Sequence, residues 1–109
     1  MQQLTSLGEL EAAIAESRER PVLLFKHSRF CGISCEALDE LHEHIDRAPD
    51  RAAYKMITVQ THRPLSDAAA ARFGIRHETP QALLLRDGKV VWKASHFSIT
   101  ASALDGALN

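Results

Sequence analysis

Short apolar runs alternate along this chain with stretches in which apolar residues recur every three or four positions. A strand that is covered on both faces is apolar throughout, so the runs predict buried strands. These strands are predicted at 22–25, 54–59, 81–85 and 89–92. The periodic stretches predict amphipathic helices, at about 7–17, 34–48, 66–73 and 100–108.

Local signals mark where several of these elements begin and end. Ser6 and Glu9 have the spacing of a capping box at the start of the first helix. Ser66 is a residue type that caps helices, and Gly74 is one that ends them. Asp87-Gly88 is typical of a tight hairpin turn between the last two strands.

The order of the elements predicts the fold class. Strands separated by helices favour parallel pairing through right-handed crossovers, and the hairpin adds antiparallel strands. The 109 residues are enough for one compact domain with a core of its own. We therefore predict a single α/β domain over residues 1–109, with a small mixed β-sheet and helices on both faces.

The composition narrows the classes of partner and the compartment. The 13 basic and 14 acidic residues are spread along the chain and give a net charge of −1, which argues against a nucleic-acid partner. No apolar stretch is long enough to span a bilayer, and the first residues lack the pattern of a secretory signal. We therefore expect a cytoplasmic protein with no membrane partner. In that compartment neighbouring cysteines are more often catalytic or metal-binding than structural.

Cys31 lies where the first apolar strand gives way to a helix. The unpaired backbone N–H groups and the dipole of a helix start favour a thiolate, which is the nucleophilic form of cysteine. Gly32 leaves the backbone beside the sulfur uncovered, and Ser34 is expected to donate a hydrogen bond to it. Arg29 and His27 would add positive charge nearby. An inert, buried cysteine is the alternative interpretation.

Cys35 follows four residues later, and the sequence leaves its role open. It is either a resolving cysteine that attacks an adduct on Cys31 or a small core residue at the edge of the second helix's apolar face. The CxxxC spacing also differs from the CxxC of dithiol oxidoreductases. With His27 the two cysteines give only three evenly spaced ligands, so we predict no metal site.

Thr79-Pro80 comes directly before the third strand, and the sequence allows two interpretations of it. The proline is either an ordinary residue at the edge of a strand or a cis-proline in a tight turn. Two histidines of the second helix, His42 and His44, flank its apolar face and are predicted to be solvated.

Four segments, which together span most of the chain, carry a resemblance to a known family. They are LTSLGELEAAI, FKHSRFCGIS, VQTHRPLSD and FGIRHETPQALLLRDGKVVWKASHFSIT. With them the chain resembles the YtxJ-type monothiol bacilliredoxins, a family of the thioredoxin superfamily. The resemblance implies a thioredoxin-like fold and a thiol–disulfide oxidoreductase that removes bacillithiol from mixed disulfides on proteins. The cysteine that does so corresponds to Cys31, and the resemblance makes Pro80 a cis-proline facing it.

The same resemblance implies the partners and the supporting residues. The partners are S-thiolated client proteins and a low-molecular-weight thiol, bacillithiol or a similar one, which serves as co-substrate with no other cofactor. Four histidines match histidines of the family: His27, His62, His77 and His96. His77 precedes Thr79-Pro80 closely enough to approach Cys31. These histidines either activate the thiol or bind the small thiol's carboxylates, or they only satisfy backbone groups in loops.

Two departures from the family and a second resemblance leave alternatives open. The family usually has proline where this chain has Gly32, and a small residue other than cysteine where it has Cys35. The stretch from Cys31 to Ser34 also resembles the Cys-Gly-Phe-Ser of monothiol glutaredoxins, which bind iron–sulfur clusters with glutathione. The glycine pair that follows the proline of those proteins is missing after Pro80. A further alternative is a non-catalytic redox sensor or binding module, in which the two cysteines record oxidation.

Overall fold

The fold combines five strands and four helices with one 3₁₀ turn, in the part of the chain that the structure describes. In the computed structural model, which describes residues 1–29 and 31–109, the strands are β1 (Gln2–Gln3), β2 (Val22–His27), β3 (Ala53–Thr58), β4 (Gln81–Arg86) and β5 (Lys89–Ser95). The helices are α1 (Leu7–Glu16), α2 (Gly32–Arg47), α3 (Arg63–Phe73) and α4 (Ala101–Ala107), and the 3₁₀ turn spans His96–Ser98. No helix in the described residues has both the length and the apolar character that a membrane span needs.

All five strands belong to one mixed sheet with the order β1-β3-β2-β4-β5. β3 pairs in parallel with β1 and β2, and β4 pairs antiparallel with β2 and β5. The parallel strands β2 and β3 are joined through α2, because a parallel pair needs a long crossover connection. The predicted mixed sheet with helices on both faces is confirmed.

The central strand β2 is buried along its whole length because helices cover both faces of the sheet. Leu24 packs in one core with residues of α1 and α3, and Phe25 packs in a second core with residues of α2 and α4. Successive side chains of a strand point to opposite faces, and the last two residues of β2 continue this alternation. Lys26 contacts α3, and His27 contacts α2.

Most of the predicted signals for element ends are confirmed. The hydroxyl of Ser6 accepts a hydrogen bond from the backbone N–H of Glu9 at 3.2 Å and caps α1. Gly74 ends α3 with a left-handed backbone, at a φ of 65°. Asp87 and Gly88 both have positive φ, 53° and 76°, as the tight turn between β4 and β5 requires.

Two helices begin earlier than the sequence predicts. α3 begins at Arg63 rather than near Ser66, which is buried inside the helix instead of capping it. Pro64 accounts for the early start, because a proline in the first turn has no N–H group to leave unpaired. α2 begins at Gly32, which makes Cys31 its N-cap residue.

His44 is buried, so the prediction that it is solvated is wrong, whereas His42 is exposed as predicted. Nδ1 of His44 lies 2.5 Å from Oδ1 of Asp105 in α4, and Nε2 lies 2.9 Å from the hydroxyl of Tyr54. Asp105 and Tyr54 come from distant parts of the chain. The residues of α2 alone therefore do not reveal that this histidine has polar partners in the interior.

Candidate active site

The carboxyl end of β2 and the amino end of β4 lie side by side in the sheet. Lys26 pairs with Gln81 in their antiparallel register, so the segment that leaves β2 and the segment that leads into β4 are neighbours. Cys31 follows the end of β2 by four residues, and Thr79-Pro80 comes two residues or fewer before β4. The Thr79–Pro80 peptide bond is cis, as the family resemblance implies. Both predicted parts of the site therefore lie at one end of the sheet.

Cys31 occupies the N-cap position of α2 with an extended backbone, at φ −103° and ψ 120°. Its side chain is partly exposed, is in no disulfide and makes no capping bond with the described residues. The interpretation of Cys31 as a buried cysteine is therefore wrong. The residue lies at the positive end of a 16-residue helix, where the first backbone N–H groups have no partner within the helix.

Ser34 is fully buried and anchors the loop that carries Cys31. Its hydroxyl lies 2.8 Å from Nδ1 of His27 and accepts a hydrogen bond from the backbone N–H of Ser28 at 2.9 Å. The N–H of Cys31 also donates to the carbonyl of Ser28, at 3.3 Å. The bond that we expected from Ser34 to the sulfur is replaced by bonds to the loop, because Ser34 lies on the buried face of α2.

His27 is buried at the end of β2 and stacks on Phe25, with ring centroids 5.9 Å apart. Burial lowers the pKa of His27, and the charge of Arg29 lowers it further. The imidazole is therefore neutral near pH 7 and does not supply the positive charge that we expected beside Cys31. Its contact with Ser34 instead helps to hold the loop.

Cys35 is exposed on the first turns of α2, so the alternative of a core residue is wrong. The buried residues of α2 lie on another face: Ser34, Ala37, Leu41 and His44. The thiol of Cys35 lies 3.5 Å from the carbonyl oxygen of Arg29. Its backbone N–H donates to the carbonyl of Cys31 at 3.0 Å. A second accessible thiol therefore lies one helical turn from Cys31.

A buried polar chain, which the sequence analysis missed, leads from β2 to Thr79. Lys26 has no exposed surface, and its ammonium donates to the backbone carbonyl of Ser66 in α3 at 3.0 Å. Nζ of Lys26 also lies 3.2 Å from Nδ1 of His77, and Nε2 of His77 lies 3.2 Å from the hydroxyl of Thr79. The sequence carries one signal for this chain, a lysine that directly continues the apolar run of β2. The apolar pattern alone predicts a strand that ends at Phe25.

Burial and nearby charges set the protonation of Lys26 and His77 in this hydrogen-bonded chain near neutral pH. Burial lowers the pKa of Lys26 to about 8, while Asp67 acts in the opposite direction and Arg63 in the same one. The pKa of His77 is lowered by burial and then by the charges of Lys26 and Arg63, with Asp67 and Glu78 acting against them. At pH 7 the side-chain amino group of Lys26 is therefore mostly protonated, and the imidazole of His77 is neutral.

The ring of His77 is held by this chain rather than by the sulfur. Its contacts within the described residues are with Lys26, Ser66 and Thr79. The predicted approach of His77 to Cys31 is thus replaced by a contact with the residue that precedes Pro80.

The other predicted residues are more accessible. Gly32 is exposed, and a side-chain carbon placed there would meet no described atom within 4 Å. His96 is exposed, and its backbone N–H donates to the carbonyl of Pro80 at 3.1 Å. His62 precedes α3, and its Nδ1 lies 2.7 Å from the hydroxyl of Thr61. Across residues 1–29 and 31–109, no three side chains of His, Cys, Asp or Glu come together as a metal site would need.

Known proteins share this fold and this sequence to different degrees. A protein-family model described as monothiol bacilliredoxin BrxC matches residues 2–104. A protein of known structure described as having a thioredoxin fold is 31% identical, with a TM-score of 0.90 over 99% of this chain and 93% of that chain. Thioredoxin of Fasciola hepatica is 17% identical, with a TM-score of 0.79 over 99% of this chain and 96% of its own. Mitochondrial thioredoxin 3 of Saccharomyces cerevisiae is also 17% identical, with a TM-score of 0.74 over 99% of this chain and 92% of its own.

These matches confirm the predicted thioredoxin-like fold. At 17% identity the two thioredoxins show the fold alone. The family match adds a thiol redox role for the chain.

Proposed function

Since the chain belongs to the monothiol bacilliredoxin family, we propose that it removes bacillithiol, or a similar small thiol, from mixed disulfides on cytosolic proteins. Cys31 is the nucleophile of this thiol–disulfide exchange. The observation that carries the proposal is the position of Cys31, a partly exposed thiol at the N-cap of α2 and at the same end of the sheet as Thr79-Pro80.

The exchange step needs no external oxidant or reductant. The thiolate of Cys31 attacks the sulfur of the small thiol in the mixed disulfide, and a new disulfide forms between Cys31 and the small thiol. The old disulfide breaks, and the client protein leaves as a thiolate that takes a proton from water. One disulfide is exchanged for another, so electrons balance within the step.

Three features of the site support this chemistry. The unpaired N–H groups at the start of α2 stabilise the attacking thiolate. Gly32 is exposed and a side-chain carbon placed there would meet no described atom within 4 Å, so the position that follows Cys31 is open to solvent. Ser34 and His27 fix the loop, which keeps Cys31 in one position before the substrate arrives.

Cys35 offers a route out of the adduct. Its thiolate attacks Cys31 in the adduct, which forms a disulfide between the two cysteines and releases the small thiol. Two molecules of an external thiol then return this disulfide to two thiols and are themselves joined in a disulfide. A second molecule of the small thiol can instead attack the adduct directly, and this route leaves Cys35 unused.

The exchange is tested with a client protein that carries one bacillithiol mixed disulfide. We expect the wild type to release the client thiol and Cys31→Ser to release none above the background without enzyme. A glutathionylated copy of the same client serves as control for the identity of the small thiol. Equal release by wild type and Cys31→Ser would refute the proposal.

The exposed pair of cysteines also supports a second candidate, a redox sensor without turnover. In that case mild oxidation converts Cys31 and Cys35 to an internal disulfide, and no client is reduced. Intact mass distinguishes the two functions. A sensor loses two hydrogens with an oxidant such as hydrogen peroxide but releases no thiol from a bacillithiolated client, whereas the exchanger releases the client thiol, and its Cys35→Ser variant keeps the small-thiol adduct on Cys31.

A further inference from the structure

Lys26 is a fully buried charged residue for which the exchange step at Cys31 provides no role. Burying an ammonium is unfavourable unless it is hydrogen-bonded, and Lys26 meets this condition with two acceptors. One is the carbonyl of Ser66 at 3.0 Å, and the other is Nδ1 of His77 at 3.2 Å. The question is what the second contact does to the histidine.

The chemistry of the donors decides which nitrogen of His77 carries the proton. A lysine ammonium has three donors and no acceptor, so a contact with Nδ1 requires that Nδ1 accept. A neutral imidazole has one N–H, which must then be on Nε2. The hydroxyl of Ser66, also 3.2 Å from Nδ1, fits either tautomer and does not make this choice.

The tautomer of His77 in turn orients the hydroxyl of Thr79. Nε2 of His77 lies 3.2 Å from Oγ1 of Thr79, so an N–H on Nε2 makes this oxygen an acceptor. The hydroxyl proton of Thr79 is then left to donate elsewhere. Thr79 is half-buried and directly precedes Pro80, at the end of the sheet that also carries Cys31.

We propose that Lys26 is a positioning residue that fixes His77 as the Nε2–H tautomer and thereby leaves the Thr79 hydroxyl to donate to an oxygen acceptor of the bound mixed disulfide. The importance of this donor for exchange rests on the proposed function, whereas the tautomer does not. The charged groups that face Lys26 and His77 are Arg63 and Asp67 from α3 and Glu78 from the segment before β4.

The tautomer is measured first, by ¹⁵N NMR of the His77 ring at pH 7. We expect the proton on Nε2 in the wild type and a mixture of tautomers in Lys26→Met, which keeps a long unbranched side chain but removes the donor. Lys55→Met is the matched control, because Lys55 lies on the neighbouring strand and pairs with Glu16 and Gln2 instead. A wild-type proton on Nδ1 would overturn the inference.

The effect on exchange is measured with Lys26→Met, Thr79→Val and the double variant. Thr79→Val is expected to lower kcat/KM about tenfold, the size of one lost hydrogen bond, and Lys26→Met to lower it by less, because its mixture of tautomers keeps part of the donor. The double variant should lose no more than Thr79→Val alone, because the two residues act through one chain of bonds. Losses that multiply would contradict the inference even if the tautomer is as expected.

The two proposals fail in different ways. If the wild type does not exchange at all, the proposed function is wrong, and the NMR measurement still tests the contact between Lys26 and His77. If Lys26→Met does not fold, the tautomer of His77 in the wild type and the kcat/KM of Thr79→Val still test the inference. In that case a Thr79→Val enzyme with unchanged kcat/KM would overturn the inference.

Discussion

The two thiols of this chain lie one helical turn apart but in different surroundings. Cys31 sits on a loop that Ser34 and His27 hold through buried hydrogen bonds. Cys35 lies on the exposed side of α2, with the carbonyl of Arg29 as its polar neighbour. The first arrangement suits a nucleophile that must keep one position, and the second suits a thiol that needs only to reach an adduct.

Replacing Cys35 by serine tests the resolving role. With equimolar bacillithiolated client and no other thiol, we expect the wild type to end as the internal disulfide and to release the small thiol. Cys35→Ser should instead keep the small thiol on Cys31, because no second thiolate is available to attack it. Intact mass of the enzyme and an assay of free small thiol measure both outcomes.

The stability of the same variant provides the control. Because Cys35 is exposed, its replacement should change the free energy of unfolding by no more than about 0.5 kcal/mol. A wild type that also retains the adduct would show that Cys35 does not resolve it. The chain would then act as a plain monothiol enzyme.

At the scale of the elements, α2 connects the site to the rest of the fold. Its first residue, Gly32, follows Cys31, and its last turns contact α4 through His44 and Asp105. The two ends have different requirements. The start must leave the sulfur uncovered, whereas the end must keep a polar side chain hydrogen-bonded in the interior.

Proline at position 32 should stabilise the protein without changing exchange. Gly32 is the first residue of α2, where proline is favoured because the N–H there has no partner within the helix. Positive φ is found at Gly74 and Gly88 but not at Gly32, and the ψ of 120° at Cys31 suits a residue before proline. We expect Gly32→Pro to raise the free energy of unfolding by roughly 0.4–1 kcal/mol.

Urea unfolding of the wild type, Gly32→Pro and Gly32→Ala measures this effect. The alanine variant retains the N–H and separates the contribution of the proline ring from that of losing glycine. Client release should be within a factor of about two of the wild type in both variants, since neither changes the loop bonds of Ser34. A destabilised Gly32→Pro would mean that the start of α2 differs from the one described.

His44 provides a test of the contact between α2 and α4. His44→Ala leaves the buried hydroxyl of Tyr54 with one partner fewer and opens a cavity, so it should lower the free energy of unfolding by about 2–3 kcal/mol. His42→Ala, two residues earlier on the same helix and exposed, is the matched control and should cost less than about 0.5 kcal/mol. Thermal or urea unfolding of both variants measures these losses of unfolding free energy, and equal losses would contradict the described contact.

The sequence predicts the strands and helices well because their signals are local. The apolar run of β2, the capping pair Ser6 and Glu9, and the Asp87-Gly88 turn each act within a few residues. Ser66 shows the limit, since a residue that can cap a helix does not do so when Pro64 allows the helix to begin earlier. The positions of Cys31 and Thr79-Pro80 also follow from the order of elements.

What the sequence does not predict depends on contacts between distant segments. The chain from Lys26 through His77 to Thr79 exists only because β2 and β4 are neighbours and α3 covers that face of the sheet. The partners of His44 likewise come from β3 and α4. A pattern of apolar and polar positions carries no information on such pairs, so it predicts surface positions for residues that are buried.

At the scale of the whole molecule, the end of β2 connects the candidate site with the helices on both faces of the sheet. Lys26 reaches toward α3 on one face of the sheet, and His27 reaches toward Ser34 of α2 on the other. The loop that carries Cys31 and the turn at Thr79 are therefore supported from opposite faces of one strand. A cost of this arrangement is a buried ammonium in the middle of the fold.

That cost makes the stability of the protein depend on pH in a defined window. The pKa of Lys26 is lowered from 10.5 to about 8, mainly by burial. Between about pH 8 and 10.5 the unfolded chain therefore binds a proton at this residue that the folded chain has lost, so stability from this group rises with pH. Below about pH 8 both states are protonated, and the buried charge destabilises the fold by a constant amount.

The difference in unfolding free energy between wild type and Lys26→Met isolates this contribution, because other titrating groups cancel. As the pH is raised from 7 to 10, we expect the difference to shift in favour of the wild type by a few kcal/mol at most. Urea unfolding at pH 7, 8, 9 and 10 measures it, and Lys55→Met reports the part that comes from losing any one positive charge. If the two lysine variants follow parallel curves, Lys26 is not the buried, poorly solvated ammonium that links β2 to His77.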